Sequence, residues 1–273
     1  MCAVSAYPRY LEEGFQPYDP LALLRLTEEV VCRGEARKYT AFYATGVYGG
    51  IATGYTVGCC LRCIFCWVDA SRDFPETHGE FYTPAQVVGR LIGIARRKRV
   101  PRLRISGGEP ALGKRHLHGV LERVEPAGYE FILETNGIPI AADEGYAAEL
   151  ARFTCVHIRV SLKAGTAEGF EARTGARREC WELPFVAVER LLDAGADFHV
   201  AAMTDPRLMP QAERRALLAR LRRAGYTGWV EEEQCDAYHS TVQRLRAAGW
   251  GFSEKSASSN SAPSSPDDVS TPW

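Results

Sequence analysis

Short apolar runs alternate with longer amphipathic segments along most of this 273-residue chain. Each apolar run has the length of a strand, and the segments between runs carry apolar residues at helical spacing. The six predicted strands are 51–57, 103–106, 130–134, 156–162, 197–202 and 228–232. Strands separated by helices of this length form parallel βαβ units with right-handed crossovers. The pattern therefore predicts an α/β fold whose functional residues follow the carboxyl ends of the strands.

The predicted strand 156–162 has one apolar face and one polar face. The polar face carries His157, Arg159 and Ser161, and Lys163 continues it past the end of the strand. Polar side chains are costly to bury unless they meet partners or ligands, so we expect this face to line the inside of a barrel. The alternative for Lys163 is a place on the solvated rim.

The two ends of the chain differ in composition from this repeating part. Residues 1–50 are predicted to form an arm and a helix that begins at Asp19-Pro20 and ends at Gly34. Lys38–Tyr43 is either a short extra strand or a packed connector. Residues 51–250 are the predicted barrel domain, and 251–273, rich in Ser, Ala, Pro and Asp, are predicted to be a disordered tail.

Charge and cysteine usage narrow the class of protein. The net charge of −1 gives no global attraction to nucleic acid or anionic membrane, and no run of 18 apolar residues predicts a membrane span. The amino terminus has no signal-peptide pattern, and an odd count of nine cysteines favours a reducing cytosol, so we predict a cytoplasmic protein. A local basic run at 96–99, continued by Arg102 and Arg104, is either a solvated helix end or a phosphate contact.

Three cysteines stand at metal-binding spacing directly after the first predicted strand. Cys59, Cys63 and Cys66 form a Cys-x-x-x-Cys-x-x-Cys pattern, and thiolates at this spacing select zinc, Cu(I) or an iron–sulfur cluster. Structural zinc sites usually have four protein ligands, so three thiolates favour a cluster with one open position. We expect the adjacent Cys60 to point elsewhere. No second Cys-x-x-Cys follows Cys66, so we predict no auxiliary cluster.

Together with three downstream stretches, this motif resembles the radical S-adenosylmethionine (SAM) superfamily. The resemblance spans roughly residues 50–235 and includes an aromatic residue, Phe65, before the last cysteine. The downstream stretches are Ser106-Gly107-Gly108-Glu109-Pro110, Glu134-Thr135-Asn136-Gly137, and Ser161-Leu162-Lys163-Ala164 followed by Phe170 and Thr174-Gly175. The resemblance implies a partial (βα)6 TIM-like barrel, a 4Fe–4S cluster on the three cysteines, and SAM bound to the remaining iron.

The resemblance also implies which side chains hold SAM. Gly107, Gly108 and Glu109 are expected to bind its amino group, because glycines let a ligand approach the backbone and a carboxylate pairs with an ammonium. Ser161 and Lys163 are candidates for its ribose and carboxylate, and Glu134 and Asn136 are further candidates. Without the family context, Gly-Gly-Glu-Pro and Asn-Gly are ordinary turns. His199 is either a lumen group or a structural one. Of residues 231–233, either at least one points inward, where it could bind a cationic substrate group, or all belong to a solvated edge.

The implied activity is that of an enzyme that cleaves SAM reductively to a 5′-deoxyadenosyl radical, which abstracts hydrogen from a substrate. The implied partner is a reductant protein such as flavodoxin or ferredoxin. Three substrate classes remain open: a glycyl radical enzyme, tRNA as in the wybutosine synthesis enzyme, and a small molecule or peptide. The alternative from another class is a structural zinc-binding or interaction module.

Overall fold

Nine strands and ten α-helices make up the computed structural model, which describes residues 7–9, 14–68, 70–236 and 238–251. The predicted tail beyond residue 251 lies outside the described residues. The strands are β1 Cys32–Arg33, β2 Ala36–Thr45, β3 Ile51–Thr56, β4 Glu80–Tyr82, β5 Arg102–Gly107, β6 Glu130–Thr135, β7 Val156–Leu162, β8 Phe198–Met203 and β9 Val230–Glu233. The helices are α1 Pro20–Val31, α2 Ala70–Asp73, α3 Pro84–Lys98, α4 Lys114–Val124, α5 Ile138–Ala142, α6 Tyr146–Leu150, α7 Ala167–Thr174, α8 Leu183–Asp193, α9 Gln211–Arg223 and α10 His239–Ala247.

All described strands belong to one sheet, and six of them are parallel. The order is β1-β2-β3-β5-β6-β7-β8-β9, with parallel pairing from β3 to β9. These six are the strands predicted from the apolar runs, so the predicted α/β fold with a partial (βα)6 barrel is confirmed. The curvature brings Arg159 on β7 within 2.6 Å of Glu231 on β9, across the intervening strand.

An antiparallel extension precedes the parallel strands. β2 pairs with β3 and also with β1 and β4, each in antiparallel register. The segment Lys38–Tyr43 is therefore strand and not a packed connector. β4 and α2 are only three and four residues long, too short to give a periodic signal in the sequence.

Side-chain alternation on the parallel strands separates the core from the interior of the barrel. Ile158, Val160 and Leu162 of β7 belong to a large apolar cluster with the outer helices. Thr83 starts α3 with a capping box, which stabilises the first turn of the helix. This helix buries Val87 and Leu91 against the same cluster. The polar residues of β7 face the other way, as the pattern predicts.

The sequence between the third and fourth predicted strands favours a single helix over 141–153, and this prediction is wrong. The chain forms two short helices, α5 and α6, because Asp143 adopts an extended conformation and accepts a hydrogen bond from the Gly145 N–H at 2.9 Å. An Asp side chain that bonds the backbone two residues on competes with helix continuation. Lys114 of α4 holds the same carboxylate at 2.8 Å.

Candidate functional site

The three motif cysteines lie on the loop that leaves β3 at the carboxyl end of the barrel. Cys63 is buried, whereas Cys59 and Cys66 are half-buried. None of the eight cysteines in the described ranges forms a disulfide. The donor set is therefore three free thiols on one loop, which fits an iron–sulfur cluster chemically.

Cys60 does not point away from Cys59, contrary to the expectation from the sequence. The side-chain amide of Asn136 donates to both sulfurs, at 3.7 Å to Cys59 and 3.4 Å to Cys60. The Leu61 N–H also donates to the Cys59 sulfur at 3.4 Å. The two neighbouring residues differ in burial instead, because Cys60 is fully buried.

The thiols also differ in acidity. A hydrogen bond from the Cys60 thiol lowers the pKa of Cys59, against the opposing effect of burial. Burial raises the pKa of Cys60 well above its usual range. Burial also raises the pKa of Cys63 to about 12, although Lys163 acts in the opposite direction. Cys59 is thus the thiol of these three that ionises most readily.

The Gly107-Gly108-Glu109 turn is joined directly to the start of the cysteine loop. The Gly108 N–H donates to the Thr56 carbonyl at 2.9 Å, and the Glu109 N–H donates to the Gly58 carbonyl at 2.8 Å. A Cβ on Gly108 would overlap the Gly58 carbonyl, and Gly107 has φ = 98°, which favours glycine. The glycines therefore allow two loops to pack, and the approach of SAM to their backbone stays a prediction.

Glu109 is buried and its carboxylate is already engaged. It accepts hydrogen bonds from the N–H groups of Ala111 and Asn136, at 2.9 and 2.8 Å, and from the Thr135 hydroxyl at 2.7 Å. Burial nevertheless raises its pKa. Glu109 thus ties the end of β5 to the end of β6, and its pairing with the SAM ammonium stays a prediction. The side-chain oxygen of Asn136 additionally accepts a hydrogen bond from the N–H of Ile138, the first residue of α5, at 3.0 Å.

The stretch around Phe170 and Thr174 supports the cysteine loop from the other side. The N–H of Arg62 donates to the Thr174 carbonyl at 3.0 Å, and the N–H of Ile64 donates to the Arg173 carbonyl at 2.9 Å. Phe170 packs in a second apolar cluster that contains the loop residues Leu61, Ile64 and Phe65. The end of α7 therefore fixes the backbone on both sides of Cys63.

A chain of polar contacts lines the barrel interior beneath this loop, beginning at β5 and β6. Glu134 accepts from Arg104 at 2.9 Å, from Ser106 at 2.8 Å and from the Tyr48 hydroxyl at 2.7 Å. Burial disfavours its ionised form, but Arg104 and Arg159 outweigh this effect and lower the pKa of Glu134. Glu134 is thus an ionised lumen residue that three side chains hold in place.

The chain of contacts continues across β7 and β9. Arg159 pairs with Glu231 at 2.6 Å and with Glu233 at 2.7 Å. Ser161 lies between Glu233, at 3.3 Å, and the Lys163 ammonium, at 2.5 Å. Glu232 points outward to Arg214 and Thr204, as alternation along the strand requires.

Lys163 and His199 occupy opposite levels of this interior. The Lys163 ammonium lies 5.9 Å from the centre of the Phe65 ring, next to the cysteine loop. Among the described residues, no carboxylate pairs with it. His199 contacts Glu231 at 3.1 Å and His157 at 2.7 Å, further from the loop. The lumen was one of the two positions that the sequence allowed for each of these residues, and both lie there.

Sequence reasoning missed two features of the interior. Arg104 follows the basic run 96–99 by only a few residues and was grouped with it, yet it is buried in the lumen against Thr53 and Glu134. Tyr48 lies outside the predicted strands altogether. The alternation of side chains from Arg104 to Ser106 on β5 could have indicated that Arg104 faces the lumen. No local signal in the sequence indicates the position of Tyr48.

Within the described ranges, no three His, Cys, Asp or Glu side chains are arranged to hold a single metal ion. Ligands of one zinc ion share a centre about 2.3 Å from each sulfur, whereas a 4Fe–4S cluster presents a separate iron to each thiolate. Thiols for a cluster therefore stand further apart than thiols for one ion.

Comparison with protein families identifies the chain. Residues 54–207 match the family model of the Radical SAM superfamily, and the chain belongs to this superfamily. The cofactors of the superfamily are a 4Fe–4S cluster and SAM, and its enzymes need a reductant. A comparison with curated protein sequences gave no match.

Solved structures with a similar fold have low sequence identity to this chain. SuiB from Streptococcus suis bound to S-adenosylmethionine has 16% identity and a TM-score of 0.52, over 71% of this chain and 44% of SuiB. TYW1 with a lysine-pyruvate adduct has 16% identity and a TM-score of 0.51, over 67% of this chain and 64% of TYW1. AnSMEcpe with bound AdoMet has 15% identity and a TM-score of 0.51, over 70% of this chain and 56% of anSMEcpe. The chain thus spans less than two thirds of each, and the likeness establishes the fold.

No helix in the part of the chain that the structure describes is both long and apolar enough to cross a membrane.

Proposed function

We propose that this chain is a radical SAM enzyme in which Cys59, Cys63 and Cys66 hold the 4Fe–4S cluster. The reduced cluster and SAM together supply a 5′-deoxyadenosyl radical that abstracts hydrogen from the substrate. The observation that carries the proposal is the position of three free thiols on one loop, at the carboxyl end of the barrel. That loop is hydrogen-bonded to the Gly107–Glu109 turn, so a ligand at the cluster also meets this turn.

We assign SAM to the space between this turn and the ends of β6 and β7. The backbone of Gly107 and Gly108, with Glu109, is the proposed site for its amino group. Lys163 supplies a positive charge close to the loop for its carboxylate, and Ser161 is the candidate for its ribose. Glu134 and Asn136 hold the adjoining strand end, where Asn136 donates to the Cys59 sulfur.

The substrate enters the polar interior beneath the loop. Three carboxylates and two arginines line it, and Lys163 adds a further positive charge near the loop, so a substrate with a polar or charged group finds partners of either sign. A small molecule or a peptide, a glycyl radical enzyme and tRNA all remain substrate classes for this proposal. We propose a reductant protein such as flavodoxin or ferredoxin as electron donor and, because the described cysteines are free thiols, a reducing cytoplasmic compartment.

The test is anaerobic reconstitution with iron and sulfide, followed by incubation with SAM and dithionite. We expect about four irons per chain and release of 5′-deoxyadenosine, which needs no knowledge of the substrate. One zinc per chain with no iron-dependent visible absorption would show a structural zinc module instead. Replacing Cys59, Cys63 or Cys66 singly by Ala should abolish both cluster absorption and SAM cleavage.

A further inference from the structure

Three different arginines hold the main chain of the cysteine loop. Each donates to the carbonyl group of a different motif cysteine through its Nη1 atom. The pairs are Arg62 with Cys59 at 2.7 Å, Arg72 with Cys63 at 2.7 Å, and Arg244 with Cys66 at 2.5 Å. The arginines come from the loop itself, from α2 and from α10, so three separate parts of the chain converge on one loop.

All three guanidinium groups are buried. The residues Arg62, Arg72 and Arg244 are 0%, 2% and 5% exposed. Burying a positive charge costs several kcal/mol unless it meets compensating groups. Asp73 pairs with Arg72 at 2.8 Å and with Arg62 at 3.3 Å. Arg244 donates a second hydrogen bond to the Val68 carbonyl at 2.6 Å.

Main-chain carbonyls orient these cations, and the one carboxylate of Asp73 is shared by Arg62 and Arg72, so it offsets one of their two positive charges. A guanidinium keeps its charge at every accessible pH. At a buried site the field of that charge is screened little by water or salt. Each of the three cations touches a carbonyl of the loop that carries the motif thiols, so those thiols and whatever they bind experience its field.

Given the cluster assignment proposed above, we propose that Arg62, Arg72 and Arg244 form a cationic seat that raises the reduction potential of the cluster. Reduction adds one negative charge to the cluster, and fixed positive charge beside it favours the reduced form. Net charge, hydrogen bonding and solvent exposure are what set the potentials of iron–sulfur clusters. The arginines act here as positioning residues, through the loop backbone and through their field.

The chain contains a matched pair of side chains that separates the charge from the hydrogen bond. The Thr241 hydroxyl donates to the same Cys66 carbonyl as Arg244, at 3.1 Å. Thr241→Val removes a hydrogen bond to that carbonyl and no charge, whereas Arg244→Gln removes the charge. Arg190→Gln is a control that removes a charge elsewhere, since Arg190 donates to the carbonyls of Ile140 and Ala141 on α5 and not to a carbonyl of a motif cysteine.

The measurement is a redox titration of the reconstituted full-length chain, followed by the paramagnetic resonance signal of the reduced cluster. In Arg244→Gln we expect the reduced-to-oxidised ratio at the midpoint potential of the parent to fall at least tenfold, which is 59 mV for a one-electron couple. Thr241→Val and Arg190→Gln should change the ratio less than threefold. Arg244→Lys, which keeps the charge, should remain close to the parent.

Several outcomes overturn this inference. A loaded Arg244→Gln variant that titrates like the parent shows that the guanidinium does not tune the cluster. An equal shift in Thr241→Val shows that the hydrogen bond, and not the charge, is responsible. If Arg244→Gln does not retain a cluster, a tenfold shift in Arg244→Lys overturns the inference. A parent chain that binds no cluster overturns the proposed function itself, which keeps the two failures distinct.

Discussion

Cys60 is next to the motif cysteine Cys59 in the sequence, but it is not a proposed ligand of the cluster. Its sulfur is fully buried beside Asn136, and burial raises the pKa of its thiol. The three thiolates of Cys59, Cys63 and Cys66 leave one iron of a 4Fe–4S cluster open for SAM, so the proposed site needs no fourth thiolate from Cys60. We therefore expect Cys60→Ala to keep the cluster absorption and SAM cleavage of the parent, with a stability loss on the order of 1 kcal/mol from the small cavity.

The comparison variants for Cys60→Ala are the same change at Cys59, Cys63 and Cys66, each measured for iron content, visible absorption and 5′-deoxyadenosine. These three should lose the cluster. Loss of iron in Cys60→Ala, with Cys59→Ala still loaded, would reverse the assignment of the first ligand.

Lys163 carries the next prediction at this scale. Its ammonium contacts Ser161 and lies near Phe65, and no described carboxylate pairs with it, so it is available to an anionic group. A hydrogen bond to a charged group contributes about 1.5–3 kcal/mol. Lys163→Ala should therefore bind SAM roughly ten- to a hundredfold more weakly, measured by equilibrium dialysis of the reconstituted chain.

The control for Lys163→Ala is Lys163→Arg, which keeps the positive charge and should recover most of the affinity. Both variants should absorb like the parent after reconstitution, because Lys163 is not a proposed cluster ligand. Unchanged SAM affinity in Lys163→Ala would show that this side chain does not bind the SAM carboxylate and would assign it to the substrate.

Single residues also show how far local sequence determines a site. Cysteine spacing was enough to predict one loop with three thiols, because residues only three or four positions apart in the sequence must also lie close together in space. The partners of Glu109 were not predictable, since Thr135 and Asn136 are 26 and 27 residues away and meet it only when β5 and β6 pair. The same holds for the arginines of the cysteine loop, of which Arg244 is 178 residues from its acceptor.

At the scale of elements, the contact between β2 and α4 contains a titratable group. His116 of α4 is buried between the Tyr39 hydroxyl, at 2.8 Å, and the Glu35 carbonyl, at 2.7 Å. Burial lowers its pKa to about 4. The two contacts suit a neutral ring that donates from Nδ1 and accepts at Nε2.

This contact should lose stability in acid. Between the ordinary pKa of about 6.5 and the lowered value, the unfolded chain binds a proton at His116 that the folded chain does not. The free energy of unfolding therefore rises with pH across this window and falls as the pH is lowered. From pH 7 to pH 5 the loss from this group should be about 2 kcal/mol, measured by urea unfolding.

His116→Gln is the reference for that measurement, because it lacks the titrating ring while other groups remain. The difference in unfolding free energy between parent and variant should shrink on acidification. A difference that stays constant from pH 7 to pH 5 would show that His116 titrates normally in the folded chain.

Helices and strands could be predicted from the sequence where the segment is long enough to show a periodic pattern of apolar residues. The six parallel strands and α3, α8 and α9 follow from apolar spacing, because each buries a continuous face. The break between α5 and α6 depends on one Asx turn, and α7 ends against the cysteine loop, so both are set by contacts rather than by period. Short elements such as β4 depend on pairing with a neighbouring strand, which for β4 is β2.

At the scale of the whole molecule, the barrel brings the last helix back to the first loop. The family match ends at residue 207, yet α10 supplies Arg244 and Thr241 to the Cys66 carbonyl. Leu245 of α10 packs in the apolar cluster of the cysteine loop, and Val242 is buried as well. The cysteine loop is therefore completed by a segment that the family pattern does not include.

Two truncations test this dependence. Removing residues from Tyr238 onward takes away α10, leaves the carbonyls of Cys66 and Val68 without these donors, and exposes the apolar side of the loop. We expect this chain to keep its sheet, as far-UV circular dichroism would show, but to retain less than a tenth of the iron of the parent after reconstitution and desalting.

Removing residues from Ser253 onward keeps α10, and the composition of that segment offers almost no apolar side chain to bury, so iron content and melting temperature should match the parent. Equal iron in both truncated chains would mean that the loop holds its cluster without α10, whereas a large loss in the shorter deletion would show that the segment beyond Ser253 docks on the barrel.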